Sequence, residues 1–145
     1  MISKDTVIKF IKFGIVGGSG VVVNQGVFSL LLYLKIASEG TGSRAQSIAI
    51  IASIFTNFLL NNFWTWRDTP ASSSKEFTIR VLKFFGSAAL TAILFQKSSY
   101  IILVSFLHWD SYSWGKYLAN FIGIGFASVG NFVISHFWTF KKRDD

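Results

Sequence analysis

The chain has no cysteine among its 145 residues. Disulfides, thiolate metal sites and a cysteine nucleophile are therefore excluded. Histidine is nearly as scarce: His108 and His136 lie far apart with no other ligand type clustered beside them, so neither a metal nor a cofactor is expected. Charge is sparse too, at 14% of residues against roughly 25% in an ordinary soluble domain. All seven acids (Asp5, Glu39, Asp68, Glu76, Asp110, Asp144 and Asp145) fall between or outside four long apolar runs. A chain of this length holds one domain and is too short for a catalytic domain plus a membrane domain. The net charge of +7 is confined to short segments flanking the apolar runs, where a nucleic-acid-binding domain would spread it over a polar face. No nucleic-acid partner is expected.

What the chain has is hydrophobic length. About 20 apolar residues cross the hydrocarbon core of a bilayer as a helix, and four segments reach it: Phe13–Leu34, Ala45–Phe63, Phe84–Leu107 and Tyr117–Trp138. The first is full span length, has Asp5 in its basic flank and is followed by no small-residue cleavage site, so it is expected to be a retained span and not a signal peptide. Ten basic residues lie on one side of the four spans, in the N-terminal segment (Lys4, Lys9, Lys12), the central connection (Arg67, Lys75, Arg80, Lys83) and the C-terminal tail (Lys141, Lys142, Arg143). Only Lys35, Arg44 and Lys116 lie on the other. Basic residues stay cytoplasmic, which predicts a multi-pass protein of the cytoplasmic membrane with both termini and the central connection inside. Trp64, Trp66 and Trp138 then mark the inner interface and Trp109 and Trp114 the outer one, as anchors.

The halves of the chain resemble each other. Residues 5–13 align with 76–84 at an offset of 71, and residues 57–67 align with 131–141 at an offset of 74. In the second pair five of eleven positions are identical (Asn57, Phe58, Phe63, Trp64 and Thr65 with Asn131, Phe132, Phe137, Trp138 and Thr139). Shared Asn, Trp and Thr in register argue for a true repeat. The expected architecture is a single all-α membrane domain over 1–145, with four transmembrane helices arranged as two parallel-repeat hairpins, 5–67 and 76–141. Ser73 and Glu76 fit a capping box. Phe77, Val81 and Phe84 would then share a face, with Arg80 and Lys83 available to lipid headgroups, and the segment Asp5–Phe13 has the same character. Each hairpin is thus expected to begin with a short amphipathic helix lying on the inner leaflet.

Polar residues recur along the second and fourth spans. Lys116, Asn120, Gly123, Ala127 and Asn131 keep to one helix face, and Gln46, Ala49, Ser53, Asn57 and Asn61 repeat that stripe. Small and amide side chains on such a face either pack helices together or line a hydrophilic seam able to accept hydroxyl-rich cargo. The pairs Gly14/Gly18 and Gly123/Ala127 are expected to serve packing. Gly18-Ser19-Gly20 lacks the third glycine of a nucleotide loop and lies inside a span. Lys97 stands about 20 Å of helix from one end of its span and about 15 Å from the other. An ammonium there costs at least ~2.5 kcal/mol unless partnered or hydrated, and no carboxylate lies in any span. An anionic ligand such as a phosphate fits it. A cation exporter would want an intramembrane acid, and there is none.

The motif Asn57-Phe-Leu-Leu-Asn-Asn-Phe-Trp-Thr-Trp-Arg67 resembles the hallmark of the GtrA-like family of small four-helix membrane proteins, and Lys12-Phe-Gly-Ile-Val-Gly-Gly18 with Asn24 resembles that family's first span. The resemblance covers nearly the whole chain. It implies work on polyprenyl-phosphate-linked sugars, which members are proposed to flip outward for modification of cell-surface glycans; some relatives assist a partner glycosyltransferase instead. Asn61 matches the family's Asn before the aromatic cluster, Trp64 and Trp66 its aromatic positions, and Lys116 a basic residue at the start of the fourth span. Some relatives carry Arg after Phe85-Gly86-Ser87, where this chain has Ala88.

The expected function is therefore translocation of a polyprenyl-phosphate-linked sugar, without catalytic chemistry. Lys97 and Lys116 would hold the phosphate; Asn57, Asn61, Asn120, Asn131, Gln46 and Ser53 would meet the sugar. The alternative is a non-transporting subunit that recruits or stabilises a membrane glycosyltransferase. Membrane lipids are partners in either case. Four helices barely enclose a polar path, so a homo-oligomer is expected.

Overall fold

Ser3 starts the first helix. Its backbone is extended and its hydroxyl accepts from the Thr6 amide at 3.1 Å, satisfying one of the N–H groups that a helix leaves free at its start. From there α1 runs unbroken over Lys4–Tyr33. α2 spans Arg44–Leu60 and passes directly into a π-helical turn, Asn61–Thr65. α3 (Ser74–Thr91) continues through a second π turn, Ala92–Lys97, into the short α4 (Ser98–Ile101). α5 (Gly115–Ile134) ends in a third π turn, Ser135–Thr139. The structure is a computed structural model that describes residues 3–34, 44–103, 108 and 115–141; the side chains of Gln96, Lys97, Tyr100, Lys116, Tyr117 and Asn120 lie outside that description.

Among the described residues there is no strand. Four helical stretches are long and apolar enough to cross a membrane: Lys4–Tyr33, Arg44–Thr65, Ser74–Phe95 and Phe121–Thr139. Little of each is buried within the protein, between 11% and 28% of its most apolar window. The outward remainder is apolar, with Val21, Val22, Phe63, Phe121 and Phe137 all exposed. Contiguous apolar surface on this scale belongs in hydrocarbon, where a helix keeps its backbone hydrogen bonds internal. The chain is an all-α, multi-pass membrane protein.

The short amphipathic helices expected before each hairpin are not separate elements. Residues 5–13 are the first turns of α1, and residues 76–84 those of α3. Nothing at either junction stops a helix: there is no proline, and a single interior glycine such as Gly14 costs only about 1 kcal/mol.

The chain divides into two compact units, Met1–Ser74 and Lys75–Asp145. In the first, α1 packs on α2. Phe13, Val16 and Gly20 are its buried residues, at steps of three and four along one face, and Ala45, Ala49 and Phe58 are buried on α2. In the second unit the buried positions of α3 are Arg80, Phe84, Ser87 and Thr91, with Ala119, Gly123 and Phe132 buried on α5.

In each hairpin a glycine makes a close approach between helices. A Cβ on Gly20 would lie 2.5 Å from Asn57 Nδ2 across the α1–α2 contact. A Cβ on Gly130 of α5 would lie 2.8 Å from Phe95 Cε2, with Thr91 Cγ2 at 3.4 Å. Thr91 aligns with Gly20 in the repeat, so the small residue sits on the first helix of one hairpin and on the second helix of the other. Gly14 and Gly18, expected to serve packing, are both exposed, and a Cβ there would meet nothing within 4 Å among the described residues. They lie off the face defined by Phe13, Val16 and Gly20.

Candidate functional site

The polar side chains of the second and fourth spans fall largely inside their own hairpins. Ser53 donates its hydroxyl hydrogen to the Gly20 carbonyl at 2.7 Å. Asn57 is half-buried against Gly20, and its Oδ1 is buried with no hydrogen-bond partner among the described residues. Asn61 is 1% exposed and accepts at Oδ1 from the Thr65 hydroxyl at 2.8 Å. In the other unit Asn131 accepts at Oδ1 from Ser87 Oγ at 2.8 Å. Gln46 is half-buried in the first turn of α2. Ser53 and Asn131 thus stand where polar groups fasten helix to helix, whereas the bond between Asn61 and Thr65 stays within one turn. Lys97 closes the π turn that follows α3, and Lys116 and Asn120 lie in the first turns of α5; their side chains are outside the described residues.

The repeated motif at the end of each hairpin is shaped by its π turn. In each, an amide donates five residues back: Trp66 to the Asn61 carbonyl at 2.8 Å, and Phe140 to the Ser135 carbonyl at 2.9 Å. The wider turn divides the aromatic side chains. Trp66 turns inward, 1% exposed, edge-on to Phe13 with centroids 6.0 Å apart. Phe140, also 1% exposed, meets Phe84 in the same way at 6.2 Å. Trp64 and Trp138 turn outward, where each ring receives a lysine. Lys12 Nζ stands 5.3 Å from the Trp64 ring centroid and Lys83 Nζ 4.9 Å from that of Trp138. Lys83 also donates to the Trp138 carbonyl at 3.3 Å. Both contacts are within cation–π range.

The two ends differ in how they settle their remaining charge and polarity. In the first hairpin Lys9 pairs with Asp68 at 2.7 Å and so ties the start of α1 to the chain beyond α2. Arg80, which aligns with Lys9, pairs with Glu76 at 2.7 Å on its own helix and lies over the Phe140 ring at 5.8 Å. Where the first hairpin closes Asn61 on Thr65, the second has Ser135 and Thr139. Both hydroxyls are buried and have no hydrogen-bond partner among the described residues. Serine lacks the reach of asparagine across the turn.

Lys12 and Ser87 carry contacts that the sequence did not single out, and Lys83, expected only to be available to lipid headgroups, also lies on the Trp138 ring. The signal for the lysines was present, since Lys12 and Lys83 occupy matching positions of the repeat, as do Trp64 and Trp138. Ser87 aligns with Val16, and no pattern announces its bond to Asn131. What this set of side chains offers a ligand is hydrogen bonding and positive charge.

A family model described as the GtrA/DPMS transmembrane domain matches residues 12–144. A dolichol-phosphate mannosyltransferase of Pyrococcus furiosus is 32% identical over 127 residues, covering 88% of this chain and 32% of that protein. The chain spans about a third of the length of the curated relative it matches.

Proposed function

The chain belongs to the GtrA/DPMS transmembrane-domain family, and from that premise we propose that it moves a polyprenyl-phosphate-linked sugar across the cytoplasmic membrane for assembly of a surface glycan. The observation that carries this reading is the extent of the family match, which takes in three span-length helices whole and the first from residue 12 onward. The Pyrococcus relative, whose name joins a polyprenyl phosphate to a sugar, supports the class of cargo.

In this reading the polyprenyl tail stays in lipid while the phosphate and sugar pass between helices. Lys97 and Lys116 take the phosphate by charge-assisted hydrogen bonds. Asn57, Asn120 and Gln46 meet sugar hydroxyls. Ser53, Asn61 and Asn131 exchange their bonds to Gly20, Thr65 and Ser87 for bonds to the sugar as it passes. No covalent step is required, and the protein acts with both termini inside and as an oligomer.

The test is reconstitution of the purified chain in liposomes containing lipid-linked sugar. Head groups are expected to reach the far side faster than in protein-free liposomes, and Lys97→Met and Lys116→Met are each expected to slow transfer tenfold or more. Equal rates with and without protein sink the proposal.

The match to a third of a transferase favours one other reading. There the four helices anchor or assist a membrane glycosyltransferase and move nothing. A chain that flips no lipid yet raises the activity of a co-reconstituted transferase supports it.

A further inference from the structure

Lys12 and Lys83 differ from the other basic residues near the hairpin ends. Lys9 and Arg80 have carboxylates at 2.7 Å. Lys4, Lys75 and Arg67 are exposed to solvent. Lys12 and Lys83 are half-buried, and neither has a carboxylate within ion-pair distance among the described residues. Each is held instead on a tryptophan face, at 5.3 Å and 4.9 Å, and Lys83 also donates one hydrogen to the Trp138 carbonyl at 3.3 Å. A ring occupies only one side of an ammonium, which has three donors to place, and it leaves the net charge in full. Neither a ring nor a carbonyl neutralises that charge, and an anion at the same depth adds a charge-assisted hydrogen bond. The geometry therefore asks for an anion at both positions.

The surroundings say what kind. Trp64 and Trp138 are 40% and 53% exposed, and the preceding Phe63 and Phe137 are 67% and 68% exposed. Ile11 and Leu82, beside the two lysines, are exposed as well. Each ammonium thus sits at the margin of an apolar, lipid-facing surface, with an indole of the kind that settles at headgroup level. The anion met at that depth is a lipid phosphate.

We propose that Lys12 with Trp64, and Lys83 with Trp138, are two equivalent binding sites for the phosphate of an anionic phospholipid headgroup, one in each hairpin. The π turns build them by turning Trp64 and Trp138 outward while Trp66 and Phe140 turn in. The proposal does not rest on translocation, and it involves neither Lys97 nor Lys116.

The test places the full chain in phosphatidylcholine vesicles containing phosphatidylglycerol, with Trp66→Phe, Trp109→Phe and Trp114→Phe so that Trp64 and Trp138 alone report. Quenching by brominated acyl chains is compared with the bromine on one lipid or on the other. A preference for phosphatidylglycerol is expected, falling about three- to fivefold per lysine in Lys12→Gln and Lys83→Gln, vanishing in the double variant and retained in Lys12→Arg/Lys83→Arg. If glutamine lowers helicity, Lys→Met, which keeps the stem on the ring, takes its place. A preference unchanged in the double variant overturns the proposal, as does an equal loss in the exposed control Lys75→Gln. Inorganic phosphate is expected to displace no more lipid than chloride of equal ionic strength. Selective displacement by phosphate would make these free-phosphate sites and overturn the lipid assignment.

Discussion

A buried hydroxyl with no partner costs about 1–3 kcal/mol, and Ser135 and Thr139 place two of them in one turn of the second hairpin. The matching turn of the first hairpin answers the same problem with Asn61 and Thr65, bonded at 2.8 Å. Ser135→Asn should recreate that bond and raise the midpoint of thermal unfolding in detergent, by an amount equivalent to about 1 kcal/mol. A lower midpoint would mean the turn lacks room for the amide. Thr65→Val, which strips Asn61 of its donor, should lower stability by about 1–3 kcal/mol in the same assay. Glycine gives a second contrast. Gly20→Ala forces a Cβ into the Asn57 amide, 2.5 Å away, and should cost about 1–3 kcal/mol as the helices part. Gly14→Ala, with open space around it, should fall within about 0.5 kcal/mol of neutral or better. Equal effects at the two glycines would refute the crossing geometry.

At the scale of the helix, the π turns decide which aromatic residues turn inward and which outward. Such turns recur at functional sites because the extra residue re-aims the side chains beyond it. The turn at Ala92–Lys97 has no counterpart in α1, whose aligned residues 21–26 are ordinary helix. Deleting Ala92 should restore α-helical register there. The expectation is unchanged helix content by circular dichroism with loss of lipid translocation, and full translocation would remove the turn from the mechanism. The ion pair between Lys9 and Asp68 matters less, because Asp68 is 57% exposed. Asp68→Asn should cost under about 1 kcal/mol, an effect that added salt erases. Apolar run length and acid placement made the four helices legible in the sequence, and the repeat alignment matched Lys12 with Lys83 and Trp64 with Trp138 without revealing that each lysine meets its tryptophan. The π turns were not legible, since their residues read as good α-helix and only the backbone reports the additional residue. The glycine at each crossing was missed for a related reason. Gly14 and Gly18 satisfy small-residue spacing, but the buried face is set by Phe13 and Val16, which brings Gly20 to the contact instead.

For the whole molecule, orientation can be tested without background because the chain has no native cysteine. Ser72→Cys, in the central connection, should react with an impermeant maleimide only from the cytoplasmic side, and Ser38→Cys only from the opposite one. The reverse pattern would invert the topology drawn from the basic residues. The two crossings carry a further consequence for how the protein is made. Ser53 finds its acceptor on Gly20, and Asn131 its donor on Ser87, each within a single helical pair. Neither pair must wait for the other to cover these groups from lipid, so each can leave the insertion machinery as a finished unit, the first while the second is still being translated. Two co-expressed fragments divided between Ser74 and Lys75 should then each insert on their own. A first fragment degraded whenever the second is absent would show that biogenesis is not stepwise.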